Sequence, residues 1–231
     1  WKKRELRATK AIQPAEQVHH TSRLLSAVWE SDSRTVANLI AGGENPNVHD
    51  NFGCTALHVA CHVGSRTIVN ILLAAGVDSI NQQDVFGRTP IALASRNGNR
   101  SCVESLMGAG ALCDIRNKNG ELPLMKASLY GHTDCVKMLV YTCPKVINAQ
   151  DDSRKNTALH MASGNGHADV VLVLLQNDAN PNALNSYGRT PLHDAAKNGH
   201  TNCVEILMSY GSHPLIEGVD GKTPLELALK N

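Results

Sequence analysis

The sequence predicts an all-α repeat protein, an α-solenoid of helix-turn-helix units that stack side by side and are joined by β-hairpin-like loops. Two observations predict this fold. A short motif led by threonine recurs along the chain, and apolar residues at helical spacing follow each copy. A constant period of about 20–50 residues indicates a repeat architecture, in which each unit packs on its neighbours.

The motif begins at Thr55, Thr89, Thr157, Thr190 and Thr223. A degenerate copy begins at Leu122, and the six starts are 34, 33, 35, 33 and 33 residues apart. One more unit is expected before the first motif, because Leu24 and Ala27 lie 33 residues before Leu57 and Ala60. The chain is therefore predicted to hold six full repeats and the first part of a seventh.

The residues of the motif have structural roles. The threonine hydroxyl caps a first helix by accepting a backbone N–H that has no partner within the helix. That helix is expected to end near a glycine such as Gly98 or Gly199, which adopts the left-handed conformation easily. A second helix follows, because apolar residues such as Val69, Leu72 and Leu73 recur at helical spacing. One unit cannot bury its apolar face alone, so neighbouring units must stack.

The motif and its period resemble those of the ankyrin repeat family, whose unit has about 33 residues and the signature T-P-L-H-x-A. The resemblance covers nearly everything after about residue 18. Members of the family bind other macromolecules and carry out no chemistry themselves. The resemblance therefore implies a recognition module and not an enzyme, with no catalytic residue, cofactor or metal.

The predicted domains are a basic leader at 1–17 and a repeat domain at 18–231. The approximate repeats are 18–50, 51–83, 84–116, 117–150, 151–184, 185–217 and the partial unit 218–231. The chain begins with Trp1 and stops after the first helix of the seventh unit. We expect a fragment of a longer protein, monomeric by itself.

Composition narrows the function classes. The chain has 22 basic and 21 acidic residues, a formal net charge of +1, which disfavours a nucleic-acid protein. No apolar run approaches the length of about 18 residues that a membrane helix needs, and nothing resembles a signal peptide. Membrane association is not expected.

The seven cysteines are expected to be thiols. Cys102, Cys135 and Cys203 share a register with Ile68 and Val170, as small buried apolar groups do. No Cys/His spacing typical of zinc occurs. We therefore predict a reducing compartment, cytoplasmic and/or nuclear.

Three places depart from the repeat pattern. Leu122 stands where the capping threonine belongs, and Lys155 stands where the hairpin glycine belongs. The segment 141–152 is two residues longer than the period and contains Pro144. We predict a local irregularity at this junction.

The resemblance implies that partners contact the concave face, made of the hairpin tips and the first helices. Aromatic and arginine side chains are the usual anchors of a protein interface. Trp29 and Tyr130 are the preferred anchors, because their helix position has no structural need for a ring. The candidate partner-binding residues are Trp29, Phe52, His62, Phe86, Arg88, Arg96, Tyr130, Arg154, Tyr187, Arg189 and Lys197.

Basic residues exceed acidic ones on this face by five, against one for the whole chain. A face of one sign favours a partner of the other sign. We predict an interaction scaffold that binds another protein or an extended acidic peptide. Nucleic-acid or nucleotide-ligand binding on the same face is an alternative, with nucleic acid disfavoured by the near-neutral charge. The other alternative is the substrate-docking region of a larger enzyme.

Overall fold

The chain folds into paired α-helices, as the sequence predicts. A computed structural model describes residues 22–229. Within that range no β-strand forms, and a single antiparallel bridge joins His49 to Thr55. The predicted leader at 1–17 lies outside the described residues, and the predicted repeat boundaries stay predictions.

Each repeat contributes a first helix and a second helix. The pairs are Arg23–Trp29 with Ser33–Ala41, Ala56–Val63 with Arg66–Ala74, Pro90–Arg96 with Arg100–Gly108, Pro123–Tyr130 with Thr133–Thr142, Ala158–Gly164 with Ala168–Gln176, and Pro191–Lys197 with Thr201–Ser209. Pro224–Ala228 is the first helix of the seventh repeat. First helices pack on the first helices of adjacent repeats, and second helices do the same.

The core runs continuously through the stack. Leu57, Leu106, Leu139 and Leu174 are fully buried in four different repeats. No repeat has a core of its own, because the buried side chains of neighbouring repeats belong to one apolar cluster. This is the arrangement in which each unit depends on the next for burial of its apolar face.

The motif histidines join each repeat to the following one. The backbone N–H of Thr157 donates to Nδ1 of His160, 3.2 Å away. Since Nδ1 is the acceptor, Nε2 carries the proton and donates to the carbonyl of Arg189 in the next repeat at 2.9 Å. His58 makes the same pair of contacts, with the backbone N–H of Thr55 and the carbonyl of Arg88. These histidines hold the frame together, as their place in the motif predicts.

The hairpin tips form a second set of links. One backbone hydrogen bond joins each tip to the next, for example from the Val85 N–H to the Phe52 carbonyl at 2.9 Å. The Ser186 N–H donates to the Arg154 carbonyl at 2.8 Å in the same way. The tips are therefore held in a continuous row beside the first helices.

Leu122 leaves its helix without a side-chain cap. The hydrogen bond from the backbone N–H of the first motif residue to the side chain of the fourth remains, since the Leu122 N–H donates to Met125 Sδ at 3.5 Å. The Leu122 side chain is buried in the core. Apolar burial therefore offsets part of the missing cap, which is worth about 1 kcal/mol.

The predicted irregularity at the fourth junction is confirmed. The second helix of repeat 4 ends at Thr142 and a short 3₁₀ helix, Pro144–Val146, follows it. Lys155 lies in the left-handed region with a φ of 57°. The strain expected for a side chain at this hairpin position is therefore present.

The prediction that all seven cysteines are thiols is wrong for two of them. Cys113 and Cys143 form a disulfide with Cα atoms 6.6 Å apart. The other five cysteines are free and buried. Burial raises the pKa of Cys54 to about 12 and that of Cys135 to about 11. Cys143 directly follows the second helix of repeat 4, which ends at Thr142, and the contact with Cys113 was not predicted from a repeat-by-repeat comparison of positions.

Candidate functional site

The predicted binding residues fall into two groups along the concave face. Six of them, Trp29, Phe52, His62, Phe86, Arg88 and Arg96, belong to repeats 1–3. Five of them, Tyr130, Arg154, Tyr187, Arg189 and Lys197, line one pocket in repeats 4–6.

In repeats 1–3 the polar and aromatic groups contact one another. The Trp29 ring packs edge-on against His62, with 5.6 Å between ring centroids. Asn97 Nδ2 lies 2.9 Å from His62 Nδ1 and donates to the His62 carbonyl at 2.9 Å. Arg96 donates to the Tyr130 hydroxyl at 3.3 Å, and its guanidinium lies over the Tyr130 ring. We call this set, Trp29, His62, Arg96 and Asn97, together with Arg88, the closed face.

The Arg88 side chain is held within the fold by an ion pair. Its Nε donates to Asp84 Oδ2 at 2.6 Å, and its side chain is 9% exposed beside a fully buried Asp84 carboxylate. The guanidinium also lies 4.6 Å from the centroid of the Phe86 ring. Arg88 is therefore poorly placed to bind a partner's carboxylate, because the buried Asp84 already occupies it.

A concave pocket of about 590 Å³ opens between the first helices and hairpin tips of repeats 4–6. Arg154 and Lys197 are exposed at its edge, and the Tyr187 ring is 49% exposed. Arg189 lies between Tyr187, 5.9 Å from the ring centroid, and Asp220, 3.1 Å from its carboxylate. We call this the open pocket; it is lined by Tyr130, Asp151, Arg154, Tyr187, Arg189, Asp194 and Lys197, among others.

Asp194 lines the pocket from the first helix of repeat 6. Its carboxylate has no hydrogen bond or ion pair within the described residues. Burial raises the pKa of Asp194 to about 6, and the charges of Arg189, Lys197 and Arg154 oppose this rise only in part. The carboxylate is therefore desolvated without an internal partner, an arrangement that costs stability.

Two further polar atoms in the same pocket lack partners. Asp151 is 1% exposed; its Oδ1 accepts from the backbone N–H groups of Arg154 and Asn156, while its buried Oδ2 accepts from no group of the protein. Arg189 Nε is also buried without a hydrogen bond. Buried polar atoms in proteins almost always have partners, so these two atoms make the pocket the candidate binding site.

Asp194 and Asp151 were not among the residues predicted from the sequence. A signal for Asp194 exists in the repeat register. Its position holds Val59, Leu93 and Met161 in three other repeats, so a charged residue there departs from the pattern. Repeat 4 also departs, with Lys126, but that ammonium pairs with the buried Glu121 carboxylate at 2.8 Å. The informative signal is thus a charge at an apolar position, and the structure adds that it lacks a partner.

The open pocket has the features of a recognition site. It joins donors at its edge to acceptors in its interior, and the described residues contain no cluster of His, Cys, Asp or Glu arranged to hold a metal ion. No helix between residues 22 and 229 is both long and apolar enough to cross a membrane. The fold is that of a stacked helical repeat protein, and this pocket is its candidate recognition site.

The chain belongs to the ankyrin repeat family. Family models described as ankyrin repeats match residues 24–117, 94–185 and 174–228. Ankyrin repeats generally mediate protein–protein interaction and are generally non-catalytic.

Solved structures of ankyrin repeat domains are similar over most of the chain. The human ASB11 ankyrin repeat domain superposes with a TM-score of 0.82 at 27% identity, covering 90% of this chain and 92% of that one. The ankyrin repeat domain of Bcl-3 superposes with a TM-score of 0.77 at 26% identity, covering 90% and 94%.

Curated relatives match over shorter segments. Bovine (Bos taurus) ankyrin repeat and SOCS box protein 2 is 42% identical over 69 residues, which is 30% of this chain and 11% of that protein. The E3 ubiquitin-protein ligase XBAT33 of Arabidopsis thaliana is 35% identical over 82 residues, or 35% of this chain and 16% of that protein. The matched segments are thus a small part of each relative.

Proposed function

We propose that this chain is a non-catalytic module that binds a partner protein through the open pocket in repeats 4–6. The partner presents an extended, predominantly acidic segment along the concave face. The observation that carries the proposal is the set of unsatisfied groups in the open pocket: Asp151 Oδ2 and Arg189 Nε are buried without a hydrogen bond, and the Asp194 carboxylate has no ion pair within the described residues.

The charges at the pocket edge support an acidic partner. Arg154 and Lys197 are exposed, and Arg189 is half-buried with a buried Nε that has no hydrogen bond. Guanidinium groups bind carboxylates through paired N–H donors, which makes them suitable for recognising acidic side chains. Tyr130 and Tyr187 add ring surface on either side, of the kind that anchors protein interfaces.

A charge-reversal experiment tests the proposal. Capture of binding proteins from cell extract is compared among the wild-type chain, the Arg154→Glu/Arg189→Glu variant and the Arg66→Glu/Arg100→Glu variant. Arg66 and Arg100 begin second helices and have the same charge, but they do not line the pocket. We expect at least about a tenfold loss of captured partners for the pocket variant, equal to about 1.4 kcal/mol, and little loss for the control. Equal capture by the wild type and the pocket variant would contradict the proposal.

Nucleic acid is disfavoured as the ligand of this face. The chain has 22 basic and 21 acidic residues and therefore lacks the excess of positive charge that is typical of proteins that bind a phosphate backbone. Binding to phosphates also weakens steeply with salt. Titration with labelled RNA at two salt concentrations separates the alternatives, since tight and strongly salt-dependent binding would favour nucleic acid.

A docking region within a larger enzyme is the second candidate. It is supported by the name of one relative, an E3 ubiquitin-protein ligase, which matches this chain over 82 residues. In that case the open pocket would select the substrate and another part of the protein would perform the chemistry. A cytoplasmic or nuclear location stays a prediction, which the five free, buried cysteines favour and the Cys113–Cys143 disulfide does not.

A further inference from the structure

The open pocket contains an acceptor-rich interior that an acidic segment alone would not satisfy. Asp194 has no internal partner, and Oδ2 of Asp151 has none either. Ionised carboxylates only accept hydrogen bonds, so the pocket offers acceptors and needs a group that donates several.

We infer that the open pocket receives one lysine or arginine side chain of the partner, whose cationic end pairs with Asp194 and Asp151. This inference rests on the proposed function and specifies what the bound segment must contain: a single basic residue with acidic residues beside it. The basic side chain fills the interior, and its acidic neighbours reach Arg154, Arg189 and Lys197 at the edge.

Comparison with repeat 4 supports a cation as the missing partner. Lys126 and Asp194 occupy equivalent positions in their repeats, and Glu121 and Arg189 occupy the position five residues earlier in each case. In repeat 4 the pair closes, since Lys126 Nζ lies 2.8 Å from Glu121. In repeat 6 Arg189 bonds Asp220 of the seventh repeat and leaves Asp194 alone. The partner's cation would take the place that Arg189 does not fill.

The two tyrosine rings of the pocket contact cationic side chains of the chain itself. Arg96 lies over the Tyr130 ring and Arg189 lies over the Tyr187 ring, at 5.3 and 5.9 Å from the ring centroids. Both rings therefore already stack with guanidinium groups, and aromatic faces attract cations. The three edge cations would repel an isolated lysine. Acidic residues next to it in the bound segment neutralise them, which is why the inference requires both features together.

The raised pKa of Asp194 agrees with this assignment. Burial raises that pKa to about 6 even though Arg189, Lys197 and Arg154 lie near. A carboxylate already paired within the protein would have a lowered pKa, because an opposite charge nearby stabilises the ionised form.

The first test is a selection from a displayed library of random 12-residue peptides. The complete chain is the bait, in wild-type form and as the Asp194→Asn, Asp194→Lys and Asp169→Asn variants. Asp169 is an exposed aspartate at the start of a second helix, and so it serves as the matched control. We expect wild-type and Asp169→Asn baits to enrich peptides with one Lys or Arg among acidic residues. The Asp194→Asn bait should lose the enrichment at the basic position, and Asp194→Lys should replace it with Asp or Glu.

The second test measures affinity for the selected peptide made with lysine or with its uncharged isostere norleucine. We expect the lysine peptide to bind the wild type at least about tenfold more tightly, since loss of one member of a desolvated charge pair has effects of this size. That ratio should fall to near one for Asp194→Asn and stay unchanged for Asp169→Asn.

The outcomes separate this inference from the proposed function. If no peptide is selected by any bait, both fail. If acidic peptides are selected without an enriched basic position, or if the enrichment survives Asp194→Asn, the proposed function stands and the inference is wrong. Folding of each variant is checked by circular dichroism.

A carboxyl titration of Asp194 by ¹³C NMR gives an independent check. In the free chain we expect a pKa well above the ordinary value of 3.8, and a lower pKa once the lysine peptide is bound. A pKa below 3.8 in the free chain would mean that Arg189 turns to Asp194 in solution, and this would overturn the inference.

Discussion

The closed face and the open pocket are built from the same repeat positions and behave oppositely. Arg88 and Arg189 each stand directly before a motif threonine, in repeats 3 and 6. Arg88 folds back on Asp84 within its own hairpin, whereas Arg189 has Asn185 at the equivalent place and extends to Asp220 in the next repeat. The position four residues earlier differs accordingly: a carboxylate, Asp84, pairs with the buried Arg88, whereas an amide, Asn185, stands before the partly exposed Arg189.

The lesson is that residue type at a surface position of a repeat does not define its role. A basic side chain on the concave face stabilises the fold where it pairs with a buried carboxylate, as Arg88 does with Asp84. The same type of side chain remains accessible to a partner where its ion pair is partly exposed, as in the pair of Arg189 with Asp220. The difference lies in pairing between positions, and it can be tested by variants at equivalent places in the two regions.

The largest expected effect is on the stability of the closed side. Arg88→Ala leaves the buried Asp84 carboxylate without its ion pair, although it still accepts from the backbone N–H groups of Phe86 and Arg88. We expect the free energy of unfolding to fall by about 3 kcal/mol, since breaking a buried pair leaves an uncompensated charge. Urea denaturation followed by circular dichroism measures this change.

Arg189→Ala is the matched control for that variant. Its pair with Asp220 is partly exposed, and such pairs contribute little to stability. We expect a nearly unchanged urea midpoint together with weaker partner binding. If Arg88→Ala and Arg189→Ala destabilised the chain equally, the division into a closed and an open region would be wrong.

The second expected effect is an increase in stability. Asp194→Asn removes a desolvated charge, and we expect it to raise the free energy of unfolding by about 2 kcal/mol at pH 7.5. The folded pKa of about 6 exceeds the ordinary 3.8, so the wild-type penalty is full above pH 6 and disappears as the pH falls toward 3.8. Arg154, Arg189 and Lys197 are the charges that act on this group. A stabilised variant that binds its partner poorly is the expected signature of a functional residue.

Denaturation at several pH values checks this prediction. The gain for Asp194→Asn should shrink steadily between pH 7.5 and pH 4. A gain that does not depend on pH would assign the effect to packing and not to the carboxylate charge.

The third expected effect is on stability at low pH, and it comes from the motif histidines that link the repeats in both regions. Burial lowers the pKa of His160 to about 4, below the ordinary 6.5, because it desolvates the charged ring; the hydrogen bond to the Arg189 carbonyl and the charge of Asp151 oppose this only in part. Its unfolded form therefore binds more protons between pH 6.5 and pH 4, and stability falls as the pH drops through this window. Between pH 7 and pH 5 the loss from this residue is about 2 kcal/mol.

Variants at two motif histidines test where this acid sensitivity lies. Comparing the wild type with His160→Gln isolates the contribution, since the variant should lose less stability on acidification. Burial lowers the pKa of His58 as well. We therefore expect the His58→Gln variant, in the region of the closed face, to lose less stability on acidification as well. A response at only one of the two would show that the frame is not shared.

The fold could be predicted from the sequence because each motif residue acts locally. Thr157 caps its own helix and His160 bonds the Thr157 backbone three residues away, so the period alone locates both. The binding residues could be predicted by class but not by role. Arg88 and Arg189 look alike in sequence, and only the structure distinguishes their partners.

Two features of the site and fold could not be read from single positions. Asp194 required knowledge that Arg189 bonds elsewhere, which depends on the orientation of side chains from two repeats. The Cys113–Cys143 disulfide required knowledge of the path of the chain after Thr142, where the regular repeat ends. Both depend on contacts between repeats that periodicity does not encode.

The smallest expected effect concerns the hairpin that carries Arg154. Lys155 holds a left-handed conformation with a φ of 57°, where glycine stands in the other hairpins, as Gly188 does with a φ of 64°. Lys155→Gly should raise the free energy of unfolding by about 0.5–1 kcal/mol, because a side chain in this conformation costs about 1 kcal/mol. The reverse change, Gly188→Ala, should destabilise, since its new Cβ would lie 3.1 Å from the Val219 backbone nitrogen.

If Lys155→Gly gained stability but lost partner binding, the strained hairpin would be what positions Arg154 at the pocket edge. Unchanged binding would place the recognition in the side chains alone.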